Sequence, residues 1–434
     1  MNALAKIKAF RSYVPLLQGN TKTIYLNQSF QAPMNMLVST ALQGYINEGL
    51  YNPHPKPMWK ERTEETRSLL AKLLNASTKD SITFTRDTTE GLNLFQRSLK
   101  WKPGDNVVIL DNEHPNQGFG WIALQNDGLE VRLVPNEGQY HANASTFAPY
   151  VDSRTKAIGL SSVMFHSGQK NDVKDIANAF RPKGIHVLAD LTQQVGLSKI
   201  DVQDLNVSAC AFSCHKGLGC PTGLGVLYVS PLAISELRST PPFVGGGAIE
   251  DFKEDLKLKL NAKYHQSALR YEHTNNAYML ITALRAYLKF ILKVGISNVE
   301  RYLQGLGKDL VKELESLNVS VIGYKDFDKH SSHSYVLKIL NPEWFDFLRQ
   351  QGVCVSRFES GIRVSFGLYN TSKDINKFIS VIRKGLALNI PLNIRPPQRI
   401  AVMDNPLVGI SDEAIAAMKL PASTLSNRPL AANI

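Results

Sequence analysis

The sequence predicts an α/β fold: a mostly parallel sheet with helices on both faces. Three observations carry this expectation. Short apolar runs that read as buried strands recur through the first 230 or so residues. Helical stretches sit between several of them, and this alternation is the signature of parallel strands joined by crossovers. The composition, 43% hydrophobic and 20% charged over 434 residues, is that of an ordinary globular chain. At roughly 150 residues per domain that length suggests two or three domains.

Taken in order, Thr63 to Asn75 has a helical pattern, with Leu69, Leu70, Leu73 and Leu74 on one side. Ser81 to Thr85 reads as a strand, and Glu90 to Leu99 as a helix stopped by Pro103 and Gly104. Strands are expected at Asn106 to Leu110, Gly128 to Val134, Ala157 to Ser162, Ile185 to Asp190, Val207 to Ser213 and Gly225 to Val229. A helix is expected at Val173 to Ala179. Past Val229 the character changes. Pro241 to Gly247 is a Pro/Gly-rich loop, and helices are expected at Asn276 to Val294 and Tyr302 to Leu317. Short strands follow near Tyr335 to Ile339 and Ile362 to Phe366, then a helix at Lys373 to Leu386, which is α+β in character. Residues 391–434 hold six of the 21 prolines and read as an extended tail, with one short helix at Asp412 to Met418.

Composition also excludes. No run of about 18 apolar residues occurs, so no membrane helix is expected. The first 13 residues lack the apolar stretch of a signal peptide, and four cysteines (Cys210, Cys214, Cys220, Cys354) make no disulfide framework, so a reducing, cytosolic setting is expected. Their spacing resembles no zinc site, and no metal is expected. The net charge of +11 leaves open nucleic acid, an anionic cofactor or nothing specific. A basic nucleic-acid-binding protein would cluster its cations among aromatics; here they are scattered, so no nucleic-acid partner is expected.

Four places can carry chemistry. Asp190 ends a strand, where ligands of open α/β sheets bind, and Gln193 follows three residues later. Lys216, in Ser213-Cys214-His215-Lys216-Gly217, also follows a strand, 26 residues after Asp190. The order of lysine and glycines is wrong for a P-loop, and a strand rather than a helix follows, which excludes a dinucleotide fingerprint. A lysine that forms an imine fits better. Thr88 and Thr89 lie at a helix start, a natural anion site. His114 follows the strand that ends at Leu110. Read singly, each has a structural alternative: a helix cap, a capped N-terminus, a solvated loop histidine.

In this order, Thr-Thr, His, Asp-x-x-Gln and Ser-x-His-Lys resemble the class V aminotransferase family of pyridoxal phosphate (PLP) enzymes, which includes cysteine desulfurases, kynureninase and isopenicillin N epimerase. Tyr25-Leu26-Asn27, Arg270-Tyr271-Glu272-His273-Thr274 and Arg363-Val364-Ser365, with Tyr369-Asn370-Thr371, extend the resemblance from about Ile24 to Leu386. The resemblance implies fold type I: a large domain (31–280) with a mostly parallel seven-stranded sheet, and a smaller α+β C-terminal domain (281–390). An N-terminal segment (1–30) would reach the active site, and 391–434 would be an extension. It implies PLP as cofactor, held through an imine by Lys216, which also serves as the acid/base. Asp190 would pair with the ring nitrogen, Gln193 with the phenolic oxygen, and His114 would stack on the ring. Thr88, Thr89, Ser213 and His215 would hold the phosphate. Thr274 would reach the phosphate of a neighbouring subunit, which implies a homodimer. Arg363 would clamp the α-carboxylate of an amino-acid substrate, near Asn27.

The departures from the family bear on the reaction. The cysteine nearest the C-terminal arginine is Cys354, nine positions before Arg363 in an apolar strand-like run, and the mobile persulfide loop of desulfurases is missing or shortened. Val163 to Gly168 looks more like the epimerase and kynureninase branch, with Phe165 or His166 shaping the pocket. His273 stands where glycine is usual. The leading expectation is therefore a lyase, decarboxylase/cyclase or epimerase acting at Cα, of the kind found in secondary metabolism such as loline-type alkaloid synthesis. An aminotransferase using a 2-oxo acid is the alternative, and a desulfurase or C–S lyase without a persulfide loop is another.

Overall fold

Fully apolar runs have no polar face to turn to water, so they form strands covered on both sides. In the computed structural model, which describes residues 2–393 apart from 20, 21, 137, 253–257 and 259, such runs build the central strands of the main sheet. A short strand β1 (Ile24–Tyr25) comes first. The sheet then takes β2 (Ile82–Thr85), β3 (Asn106–Leu110), β4 (Glu130–Val134), β5 (Thr155–Ser161), β6 (His186–Asp190), β7 (Ala209–Ser213) and β8 (Gly225–Val229). Its order is β2-β8-β7-β6-β5-β3-β4, and β8 alone runs against its neighbours. Strands β3 and β8 have the bounds expected from sequence, and the others differ by one or two residues.

Alternate residues of these strands feed two apolar layers. Val107, Ile109, Ala157 and Leu188 pack with Leu92 and Phe95 of helix Thr88–Ser98. Val108, Leu110, Ile158 and Val187 pack on the other face, with Ile176 and Phe180 of helix Val173–Phe180. Each Val, Leu, Ile or Phe among them contributes roughly 1.5–3 kcal/mol by leaving water. The carboxyl ends of β2, β3, β5, β6 and β7 share one edge. The chain reverses direction across the sheet between β3 and β5, which makes that edge a switch point.

The later strands are β9 (Ser334–Leu337), β10 (Val353–Cys354), β11 (Ser356–Phe358) and β12 (Gly361–Ser365). β11, β12 and β9 form an antiparallel sheet, while β10 pairs in parallel with β1. From β1 the chain crosses to β12, where Ser365 N–H donates to the Leu26 carbonyl at 2.8 Å and Asn27 bridges Ser365.

Some helices went unread in the sequence: Ala3–Phe10, Met36–Tyr51 and Glu343–Gln350. Met36–Tyr51 buries only Val38, so its apolar residues follow no clear stripe. The helix expected from Tyr302 begins at Ile296, directly after Gly295 at φ +86°. Among the described residues no helix is long and apolar enough to cross a membrane. From residue 394 the expected extension, with its helix at Asp412–Met418, lies outside the described residues.

The Arg270–Thr274 motif has a structural duty. Glu272 accepts from the fully buried Arg67 at 2.8 Å, from the Thr83 hydroxyl at 2.6 Å and from Asn276. Glu272→Ala leaves Arg67 without its buried carboxylate and is expected to cost about 3–5 kcal/mol in chemical denaturation. A cost below about 1 kcal/mol would show that water reaches Arg67 and replaces the carboxylate.

Candidate active site

The shared sheet edge positions eight of the expected residues, at or just after the ends of β2, β3, β6 and β7. Asp87, not a threonine, caps helix Thr88–Ser98 by accepting from Glu90 N–H at 2.9 Å. The Thr88 hydroxyl is thus free to lie 2.7 Å from Ser213 Oγ at the end of β7 and 2.8 Å from Thr192 Oγ1. These buried hydroxyls stand beside the helix N-terminus, where an anion is favoured. Thr89 follows, half-buried.

Asp190 closes β6 and is buried, its Oδ1 accepting from Thr192 N–H at 2.8 Å. Gln193, also buried, donates to the Ser29 carbonyl at 3.1 Å, and its Oε1 has no partner among the described residues. His114 caps the next helix: its Nδ1 accepts from Asn116 N–H at 3.1 Å. A neutral ring so placed carries its proton on Nε2. Burial lowers the His114 pKa, Asp190 pulls it back up, and Lys216 and Arg363 push it down.

Lys216 sits in the turn after β7. Gly217 is required there, since a Cβ would stand 2.0 Å from the Val195 carbonyl oxygen, and Gly196 opposite it adopts φ +78°. Gln28 of the N-terminal segment donates to the Lys216 carbonyl at 2.8 Å. Burial, and then Arg363, lower the lysine pKa against the pull of Asp190, to about 8. His215 is lowered to about 4, chiefly by burial, and is neutral near pH 7.

Arg363 on β12 is 3% exposed. It donates to the Phe165 carbonyl at 2.7 Å and to Ser356 Oγ at 3.3 Å, and Ser356 in turn donates to Asn27 Oδ1 at 2.6 Å. Among the described residues no carboxylate pairs with it, and its Nε has no partner. Burial lowers its pKa to about 9. A buried, charged, unpaired guanidinium is costly unless an anion comes to it.

Thr274 does not join this cluster. It is exposed, and its hydroxyl accepts from Gly247 N–H at 3.3 Å. Its neighbour His273 meets Glu90 Oε1 at 3.1 Å. Cys354 is half-buried in β10, where burial raises its thiol pKa; Cys210, Cys214 and Cys220 are buried.

The family model described as Aminotransferase class-V matches residues 24–378. The chain belongs to the class V aminotransferase family. An uncharacterized aminotransferase of Schizosaccharomyces pombe is 59% identical over 390 residues, 90% of this chain and 98% of that protein. A probable cysteine desulfurase of Pyrococcus abyssi is 26% identical, covering 86% of this chain and 96% of that protein. The solved cysteine desulfurase of Thermococcus onnurineus aligns with a TM-score of 0.76 at 25% identity, covering 88% of this chain and 98% of that one. The fold is therefore the fold-type I PLP architecture, and the chain is a PLP-dependent enzyme of this family.

The residues present fit that cofactor. An amine that deprotonates near pH 8, a buried carboxylate and a hydroxyl cluster at a helix N-terminus surround one place. Gln193 Oε1, Ser29 Oγ and Gln28 Oε1 are buried there without partners among the described residues.

Two residues went unread in the sequence. Glu113 accepts from Ser161 N–H at 2.7 Å and Ser161 Oγ at 2.6 Å beside Asp190, and burial raises it to about 7. Its only signal was adjacency to His114. His333 is fully buried with neither ring nitrogen partnered among the described residues; burial, then Arg363, His330 and Lys216, lower it to about 3. The polar run Lys329 to Ser334 ahead of a buried strand was the available sign.

Proposed function

We propose that the protein removes the Cα proton of an α-amino acid whose carboxylate is held by Arg363. The carrying observation is the buried arginine without a carboxylate partner among the described residues: it is positioned, charged and in need of an anion. When bound, the cofactor supplies an electron sink that weakens the bonds at Cα. Lys216 would hold the cofactor and would be the base that takes the Cα proton on Nζ; a pKa near 8 suits a base working around neutrality. Asp190 would keep a proton on the ring nitrogen, Gln193 would meet the phenolic oxygen and His114 would cover the ring. Thr88, Thr89, Ser213 and His215 would hold the phosphate. Asn27 steadies Arg363 through Ser356.

Proton removal is preferred to decarboxylation on physical grounds. A carboxylate paired with a buried guanidinium is stabilised as the anion, which opposes its loss as CO2. Persulfide delivery has no support from Cys354, which is paired in β10 with a raised pKa. Elimination and epimerisation follow from Cα deprotonation. So does transamination, a second reading favoured by the 59% identical relative described as an aminotransferase.

We further propose a cytoplasmic homodimer, in which Thr274 would serve the partner's site. The same reading divides the chain into domains at 31–280 and 281–390. Helix Met36–Tyr51 supports pairing, since it leaves Met36, Ile46, Leu50 and Tyr51 exposed.

Amino acids incubated with the holoenzyme in D2O are expected to gain deuterium at Cα, read by NMR. Release of CO2 without exchange would overturn the proposal. Among exchanging substrates, 2-oxo acid formation identifies transamination, and loss of optical purity identifies epimerisation.

A further inference from the structure

We propose that Phe165 and Phe358 form an aromatic wall that selects α-amino acids with large apolar or aromatic side chains. This rests on the reading of Arg363 as the carboxylate site and adds the substrate class to it. Phe165 lies in the loop after β5, and Phe358 ends β11 on the short hairpin that leads into β12. The rings meet edge to face with centroids 5.7 Å apart. Phe165 also meets the His114 ring at 4.8 Å and the His166 ring at 5.2 Å. The Arg363 guanidinium lies 4.8 Å from the Phe358 ring centre while donating to the Phe165 carbonyl. A carboxylate on Arg363 therefore brings the rest of its molecule against these two rings.

The wall is built from both sides of the site. The hairpin tip is tied across by Ser360 Oγ, which donates to the His166 carbonyl at 3.4 Å. Both phenylalanines remain half-buried, so ring surface is left for a ligand to cover. The imidazoles that complete the wall are held neutral, His166 mainly by burial. Arg357 and Glu359, the chain neighbours of Phe358, are exposed. Among the described residues, Arg363 and Lys216 are the cations that act on the His114 ring, and both have other work. A side-chain carboxylate would thus be desolvated against rings without a counter-ion, whereas an apolar side chain gains by burial.

The test titrates the holoenzyme with L-phenylalanine, L-leucine, glycine, L-aspartate and L-cysteine, following the cofactor's visible band at equilibrium. Phenylalanine and leucine are expected to bind about tenfold or more tightly than glycine, as partial burial of such a side chain supplies, and aspartate no better than glycine. Phe358→Ala and Phe165→Ala should each shrink the phenylalanine-to-glycine ratio several-fold, and Phe358→Leu should restore part of it. Aspartate or cysteine binding as tightly as phenylalanine would overturn the wall, as would a ratio unmoved in both alanine variants. A holoenzyme whose band responds to none of the five would overturn the carboxylate site as well, so the two failures are told apart.

Discussion

Lys216→Ala is expected to abolish the borohydride-sensitive imine band of the purified protein. It should also slow Cα deuterium exchange by a factor of about 10³ or more, because one residue supplies both the covalent hold and the proton transfer. The lowered lysine pKa adds a pH signature. Imine formation needs the neutral amine. With Lys216 held at about 8, recombination of apoenzyme with free cofactor should speed up as pH rises through 8 and then level off. An ordinary lysine would keep accelerating to about 10.4. Stopped-flow absorbance checks the profile. A plateau reached only above pH 10 would mean that Lys216 is solvated like a surface lysine.

Arg363→Met is the second large effect, and it has two opposite signs. Losing a buried, charge-assisted clamp should weaken α-amino acid binding by roughly 30-fold to 1000-fold, equivalent to about 2–4 kcal/mol. The visible band should survive, since Lys216 is untouched. In the ligand-free protein, however, Arg363 is a buried cation facing carbonyl and hydroxyl groups rather than a carboxylate. Exchanging it for an apolar chain should therefore stabilise the fold by about 1–4 kcal/mol in denaturant melts. A variant both weaker in binding and less stable would mean that the arginine is structural and not a recognition group.

Residues whose signal is local were the ones legible in the sequence. Val107 to Leu110 and Val226 to Val229 are apolar and buried on both faces, so strands β3 and β8 could be bounded from composition alone. Asp190, Lys216 and His114 follow strands directly, and strand ends converge on one edge in this topology. Arg363 was readable only through a motif, since nothing local says that a strand arginine will lack a carboxylate. Helix Met36–Tyr51 was hidden because its apolar residues follow no single stripe: Val38 is buried and Leu37 and Leu42 pack on the core, while Met36, Ile46, Leu50 and Tyr51 are exposed. His333 and Glu113 were hidden for another reason: their character comes from what folds over them, Lys216 and Arg363 in one case, Ser161 and Asp190 in the other. Phe358 gains meaning only from its contact with Phe165, almost 200 residues away in the chain.

The crossing of the N-terminal segment from β10 to β12 has a consequence for biosynthesis. Ser29 N–H donates to Ser365 Oγ across 336 positions, and Gln28 reaches the Lys216 carbonyl from the same stretch. A chain emerging from the ribosome can lay down β2 to β8 early, with Asp190 and Lys216 already in place on the sheet. The strand that orders its first residues, and carries Arg363, is made last. A nascent chain can therefore offer a lysine to the cofactor well before it can recognise an amino acid.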